Sequence, residues 1–149
     1  MSTETTYDLR SPSNVRDWAA YHAIRRHVLF ERRGRFGVYD ANHPDEHKVG
    51  NYPKVLALGH DIIGVIRIDV APPHAVFRRV AIREDQQRRG HGRTLLRLAE
   101  RFALQHGCRE LSSQVDPAAV AFYARCGFAV RTPVEEGALT VLMSKAVEV

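Results

Sequence analysis

The stretch of this chain best equipped for chemistry is Gln87-Arg88-Arg89-Gly90-His91-Gly92, set between an apolar run, Val80-Ala81-Ile82, and an amphipathic run that begins near Arg93. A strand, then a glycine loop with cations, then a helix is the order a chain needs to hold a pyrophosphate. Glycines let the main chain approach an anion closely, and successive N–H groups then point at its oxygens. The helix that follows leaves its first N–H groups unpaired and puts the positive end of its dipole at the same spot. Arg88, Arg89 and Arg93 add full charges, and Thr94 closes the segment. Two familiar phosphate loops are excluded. A Walker loop needs Lys-Ser/Thr after its last glycine, and Gly92 is followed by Arg93-Thr94. A dinucleotide fingerprint needs a third glycine where this chain has Leu95.

A second segment, residues 116 to 128, reads Asp-Pro-Ala-Ala-Val-Ala-Phe-Tyr-Ala-Arg-Cys-Gly-Phe. Asp116 suits an N-cap and Pro117 the first helical position. Gly127 suits the left-handed residue after a helix end, and Phe128 the return to the core. The pattern predicts a helix of about two turns with Tyr123 near its middle. Read alone, Tyr123 is either packed on the inner face or an acid at a pocket edge.

Taken together, Val80-Ala81-Ile82, the loop Gln87 to Gly92 with its helix, and Phe122-Tyr123-Ala-Arg-Cys-Gly127-Phe128 resemble the GNAT superfamily of acyl-CoA-dependent N-acyltransferases. The loop matches that family's Gln/Arg-x-x-Gly-x-Gly/Ala pattern, and the second segment its Tyr-x-x-x-Gly-Phe ending. The match is close over residues 77 to 128 and loose over the rest of the chain.

The resemblance implies a single α/β (α+β) domain over residues 1–149. Its mixed, mostly antiparallel twisted sheet would have six to seven strands, flanked by about four helices, with a V-shaped splay between the two central strands. It implies acetyl-CoA as co-substrate. Backbone groups of Val80, Ala81 and Ile82 would hold the pantetheine arm, and amides from Arg88 to Thr94 the pyrophosphate. Gln87 would shape the loop or face the ribose side. Tyr123 matches the family's general acid, placed to protonate the departing thiolate. Seven residues before that tyrosine the family often carries Asn; here Asp116 stands instead, and an ionised Asp cannot donate a hydrogen bond. The alternative from another class is a non-catalytic acyl-CoA-binding or regulatory module.

A general base is not specified by pattern. Candidates are Glu84, Asp69, Glu31, Asp40 and the histidines at 43, 47 and 74, or ordered water without a dedicated base. His43 and His47 are four apart, but Pro44 between them argues against a helix aligning them on a metal, and no cysteine cluster completes a site.

Positioning these groups falls to a chain of 149 residues, 44 % hydrophobic and 26 % charged, enough for one core. No apolar run near twenty residues appears and the first residues are polar, so a cytoplasmic protein without a membrane span or secretory signal is expected. Cys108 and Cys126 read as reduced, and neither as a nucleophile. Lys and Arg number 22 against 17 acids. Part of that excess surrounds the loop, where an anionic cofactor benefits. Arg25-Arg26 and Arg32-Arg33-Gly-Arg35 form a second cluster with no nucleic-acid motif beside it; it reads first as a solvated basic face, with acidic acceptors left open. A small-molecule amine is expected in preference to a protein or nucleic acid, and a homodimer is allowed.

Strands are predicted at Tyr7–Arg10, Lys54–Leu58, Ile62–Val70, Val76–Ile82, Leu111–Val115, Phe128–Arg131 and Leu139–Ser144. Asn14 caps a helix through about Phe30, with Trp18, Tyr21, Ile24 and Val28 on one face. Leu95, Leu98, Ala99, Phe102 and Ala103 stripe a helix that ends at Gly107. Residues 31 to 50 read as irregular, with a helical turn at most.

Overall fold

The computed structural model describes residues 6–132 and 136–148. Strand β1 (Tyr7–Arg10) leads into helix α1 (Val15–Ile24), where the Asn14 side chain accepts from the Asp17 amide at 2.8 Å, the expected cap. The helix does not run on as regular α to Phe30. Residues Arg25–Phe30 form a wider π turn, followed by a 3₁₀ turn at Glu31–Arg33. The wide turn slips the inward face, so that Arg25, Leu29 and Phe30 are buried where the helical spacing had picked Val28, which is half-buried.

A hairpin, β2 (Asn51–Leu58) and β3 (Asp61–Ala71), turns over Gly59-His60, as the sequence signals. Strand β4 (His74–Ile82) returns antiparallel to β3, α2 (His91–Gln105) crosses over, and β5 (Glu110–Val115) lies parallel to β4. A 3₁₀ turn at Pro117–Ala119 opens α3 (Val120–Arg125), and β6 (Ala129–Val130) and β7 (Val141–Ala146) complete a seven-stranded sheet in the order β1-β2-β3-β4-β5-β7-β6. Among the described residues three α-helices flank the sheet, against the expectation of about four. The stretch read as irregular holds, past Gly34 and Gly37, a 3₁₀ turn at Pro44–His47. The last strand starts two residues later than expected, and Leu139 is exposed.

The strand period of two divides the core. On one face Val55, Val65 and Ala81 pack against Tyr21, Ile24, Leu29 and Phe30 of the α1 side. On the other, Leu56, Ile66, Ile68 and Phe77 pack against Leu95, Ala99 and Ala103 of α2 and Tyr123 and Phe128 beyond. Fully burying each such large side chain contributes about 1.5–3 kcal/mol. The two helical layers therefore grip β4 from opposite sides.

Candidate active site

Strands β4 and β5 pair only from His74–Phe77 against Glu110–Ser113. Beyond that rung β4 runs on through Ile82 while β5 is carried away by its pairing with β7 along Glu110–Val115. The Ser113 hydroxyl donates to the Phe77 carbonyl at 3.0 Å and closes the last rung of the fork. Past it, one edge of β4, including Val80, Ala81 and Ile82, has no strand partner among the described residues. An extended chain laid in the fork finds main-chain donors and acceptors there. A bulge sits at the same place: Val65 pairs with Ala81 and Arg67 with Arg78, so Arg79 and Val80 share the space opposite Ile66. Arg79 adopts a left-handed φ of 57°.

Gln87 to Gly90 form the turn from β4 to α2. Gln87 shapes it, donating from Nε2 to the Ile82 carbonyl at 2.9 Å. Arg88 has a φ of 65° and Gly90 one of 84°. Gly90 is the residue before α2, and no side chain caps that helix. Its first-turn amides, His91, Gly92 and Arg93, therefore lack an internal acceptor and suit an anion. The two glycines serve different ends. Nothing lies within 4 Å of a Cβ built at Gly90, so φ alone demands glycine there and the space beside it is open. A Cβ at Gly92 would lie 3.0 Å from Phe122 Cζ, so the second glycine admits α3 against α2. The His91 side chain faces inward and shares a 2.7 Å hydrogen bond with the Tyr7 hydroxyl. Of His91, only the backbone is left to face the turn. Arg88, Arg89 and Arg93 stand exposed around the loop, and Thr94 Oγ1 donates to the Gly90 carbonyl at 3.4 Å.

Tyr123 reaches the fork from α3. It is 6 % exposed, packed edge-on against Phe122 and Phe128. Burial pushes its phenol up to about 12, and a hydrogen bond with Ser113 offsets part of the rise. The group is thus a protonated acid at neutral pH, at the wall of a cleft of about 610 Å³. That cleft runs from the fork across the α1 side of the sheet, between the π turn, residues 33–45 and the start of α3.

Asp116 caps the turn into α3 by accepting from the Ala118 amide at 2.8 Å, and meets Arg33 at 3.4 Å. Of the candidate bases, Glu84 is paired with His27 and Arg32 outside the cleft. Asp69 is held by Arg67 and Arg78, both at 2.8 Å, and Glu31 by His27. His47 packs tilted against Trp18, and His74 is exposed at the far end of β4. Asp40 and His43 line the cleft, with His43 Nδ1 taken by the Asp45 amide. Among the described residues no three His, Cys, Asp or Glu side chains gather to hold a metal.

Sequence reasoning missed a buried network behind this cleft. Glu46, 1 % exposed, accepts from Tyr21 and Arg25, and Arg25 also donates to the Tyr21 hydroxyl at 2.7 Å. Burial pushes the Glu46 carboxyl up, but the hydrogen bonds from Tyr21 and Arg25 and the charge of Arg25 outweigh it and hold it below its usual range. The only hint was a tyrosine four residues before an arginine on one helix face. Ser113 and Arg79 were missed as well, since nothing in Leu-Ser-Ser-Gln-Val or Phe-Arg-Arg-Val marks a fork or a bulge.

Comparison with known proteins bears on the family and the fold. Residues 5–128 match the Acetyltransferase (GNAT) family. A proposed N-acetyltransferase from Lactobacillus plantarum is 30 % identical, with 95 % of this chain and 98 % of that one covered and a TM-score of 0.77. An acetyltransferase from Thermus thermophilus is 25 % identical over 95 % and 97 %, with a TM-score of 0.74. The PaiA N-acetyltransferase from Thermoplasma acidophilum, solved in complex with coenzyme A, shares the fold at 16 % identity over 95 % and 99 %, with a TM-score of 0.73. No functionally curated protein matches the chain by sequence.

Proposed function

The chain belongs to the GNAT acetyltransferase family, and from that premise we propose that it transfers the acetyl group of acetyl-CoA to a primary amine by direct attack within a ternary complex. The observation that carries the reading is the fork after Phe77 and Ser113, with an uncapped helix start at one end and the Tyr123 phenol in its wall. The residues present fit the co-substrate. The free edge of β4 at Val80, Ala81 and Ile82 would take the pantetheine amides. The backbone from Arg88 to Thr94 would take the pyrophosphate, with Arg88, Arg89 and Arg93 raising local anion concentration.

Acetyl-CoA would supply an acyl group already activated as a thioester. The amine must arrive deprotonated, and attack on the carbonyl carbon places negative charge on its oxygen. An N–H of β4 beyond the fork is suited to that oxygen. Tyr123 would give its proton to sulfur as the C–S bond breaks, and the excess proton on nitrogen would leave through water in the cleft, with His43 or Asp40 within the same walls. Products are the acetamide and free coenzyme A. Holding both reactants together supplies much of the acceleration.

The test is release of free thiol from acetyl-CoA across a panel of primary amines, with acetyl-CoA binding measured separately. Thiol release that depends on amine supports the reading. Tight acetyl-CoA binding with no acceptor ever consumed would assign the chain to a non-catalytic acyl-CoA-binding module.

A further inference from the structure

We infer that the acceptor amine carries an anionic group, a carboxylate or a phosphate, received by the guanidinium groups of Arg35 and Arg79; this deepens the transferase reading and rests on it. The cleft wall brings together six arginines, Arg25, Arg33, Arg35, Arg67, Arg78 and Arg79. Four have carboxylate partners: Arg25 has Glu46, Arg33 has Asp116, and Arg67 and Arg78 share Asp69. Among the described residues no carboxylate pairs with Arg35 or Arg79. Both guanidiniums instead lie over the Phe30 ring, Arg35 at 4.9 Å and Arg79 at 5.4 Å from its centroid. Two arginines without a carboxylate partner thus share one buried aromatic ring.

Both side chains are exposed along the cleft, so an incoming anion can reach them. Arg79 sits at the bulge with a left-handed backbone, an uncommon state for a residue with a side chain. Partial burial and the like charges of Arg25, Arg67, Arg35 and Arg78 all push its guanidinium down. The acids on the same wall do not relieve it: Asp116 is taken by Arg33, and Asp40 and Asp45 are exposed, accepting from the Asn42 amide and facing His43. The cofactor phosphates do not explain the pair either. Arg35 and Arg79 stack on Phe30, in the layer on the α1 side of the sheet, whereas α2 packs in the opposite layer. Planar guanidiniums held in this way suit a carboxylate or phosphate bound by paired charge-assisted hydrogen bonds. A cationic polyamine meets repulsion in the same place.

The experiment compares matched amines with acetyl-CoA: β-alanine against β-alaninamide, and phosphoethanolamine against ethanolamine. The anionic member of at least one pair should have kcat/KM higher by roughly tenfold or more; which pair responds separates a carboxylate from a phosphate. In Arg35→Gln and Arg79→Gln that preference should shrink several-fold through KM rather than kcat. Arg79→Lys should keep part of it, and thermal melts of each variant check that it is folded. Equal turnover within both pairs, preference for a diamine, or a preference untouched by either folded Gln variant overturns the inference and leaves the transferase reading standing. Thiol release with no amine at all overturns both.

Discussion

The two ends of the fork are built on different principles. At the proposed phosphate end, Gln87 to Thr94 are consecutive residues, and the surface offered to an anion would be their own amides at the uncapped start of α2. At the proposed acceptor end, the wall is drawn from the π turn, an irregular segment, three strands and α3, and any chemistry there would reside in side chains from all of them. A backbone site can be written as a short local pattern. A side-chain site assembled from remote segments leaves no such pattern, and so it is free to vary with substrate.

The largest effect should come from behind the acceptor wall. Glu46→Ala leaves Arg25 buried with Nε already lacking a hydrogen-bond partner among the described residues. Unfolding in urea at pH 7 should reveal a loss of about 3–5 kcal/mol. Because the folded state holds the Glu46 carboxyl below its ordinary range, the stability it contributes is present above the unfolded value near 4.3 and disappears as pH falls through the folded one. The deficit of the variant should therefore narrow in acid. A deficit that persists unchanged at low pH would mean that packing, and not the ion pair, supports the wall.

Next comes the junction of the two ends. Tyr123→Phe should lower kcat on the order of a hundredfold while leaving acetyl-CoA affinity within about twofold. With its phenol pushed up to about 12, Tyr123 keeps its proton well above the usual tyrosine range, so the pH profile should lack a descending limb near 10. Such a limb, if it vanished in the Phe variant, would break the assignment of burial as the dominant influence.

Smaller effects separate the two loop glycines. Gly92→Ala forces a Cβ to 3.0 Å from Phe122 and should cost about 1–3 kcal/mol, recovered in part by Phe122→Leu. Gly90→Ala meets no atom but strains a φ of 84°, costing about 1–2 kcal/mol, and Phe122→Leu should do nothing for it. Chemical denaturation of the two double variants decides the matter. Rescue of Gly90→Ala by Phe122→Leu would merge roles that the structure keeps apart.

Much of the fold was legible. The Asn14 cap, the Gly59-His60 hairpin, the α2 stripe and the Asp116-Pro117 start of α3 all follow from spacing and turn chemistry acting over a few residues. The π turn was not legible, because inserting one extra residue per turn changes the inward face without changing composition. Nor was the helix count, since a likeness to a family says little about a stretch broken by its own glycines and proline.

By itself the sequence determined the glycine turn that opens α2 and the short helix that carries Tyr123, because consecutive residues settle helix starts, caps and turns. Tertiary structure alone decided that β5 leaves β4 after Ser113 and that Tyr21, Arg25 and Glu46 join beneath the cleft. It also decided that Arg35 and Arg79 share Phe30. Glu46 reaches Tyr21 and Arg25, Ser113 reaches Phe77, and Arg79 reaches Phe30 across tens of residues. Their partners are chosen by how the two helical layers close on opposite faces of one sheet, a geometry that no local spacing encodes.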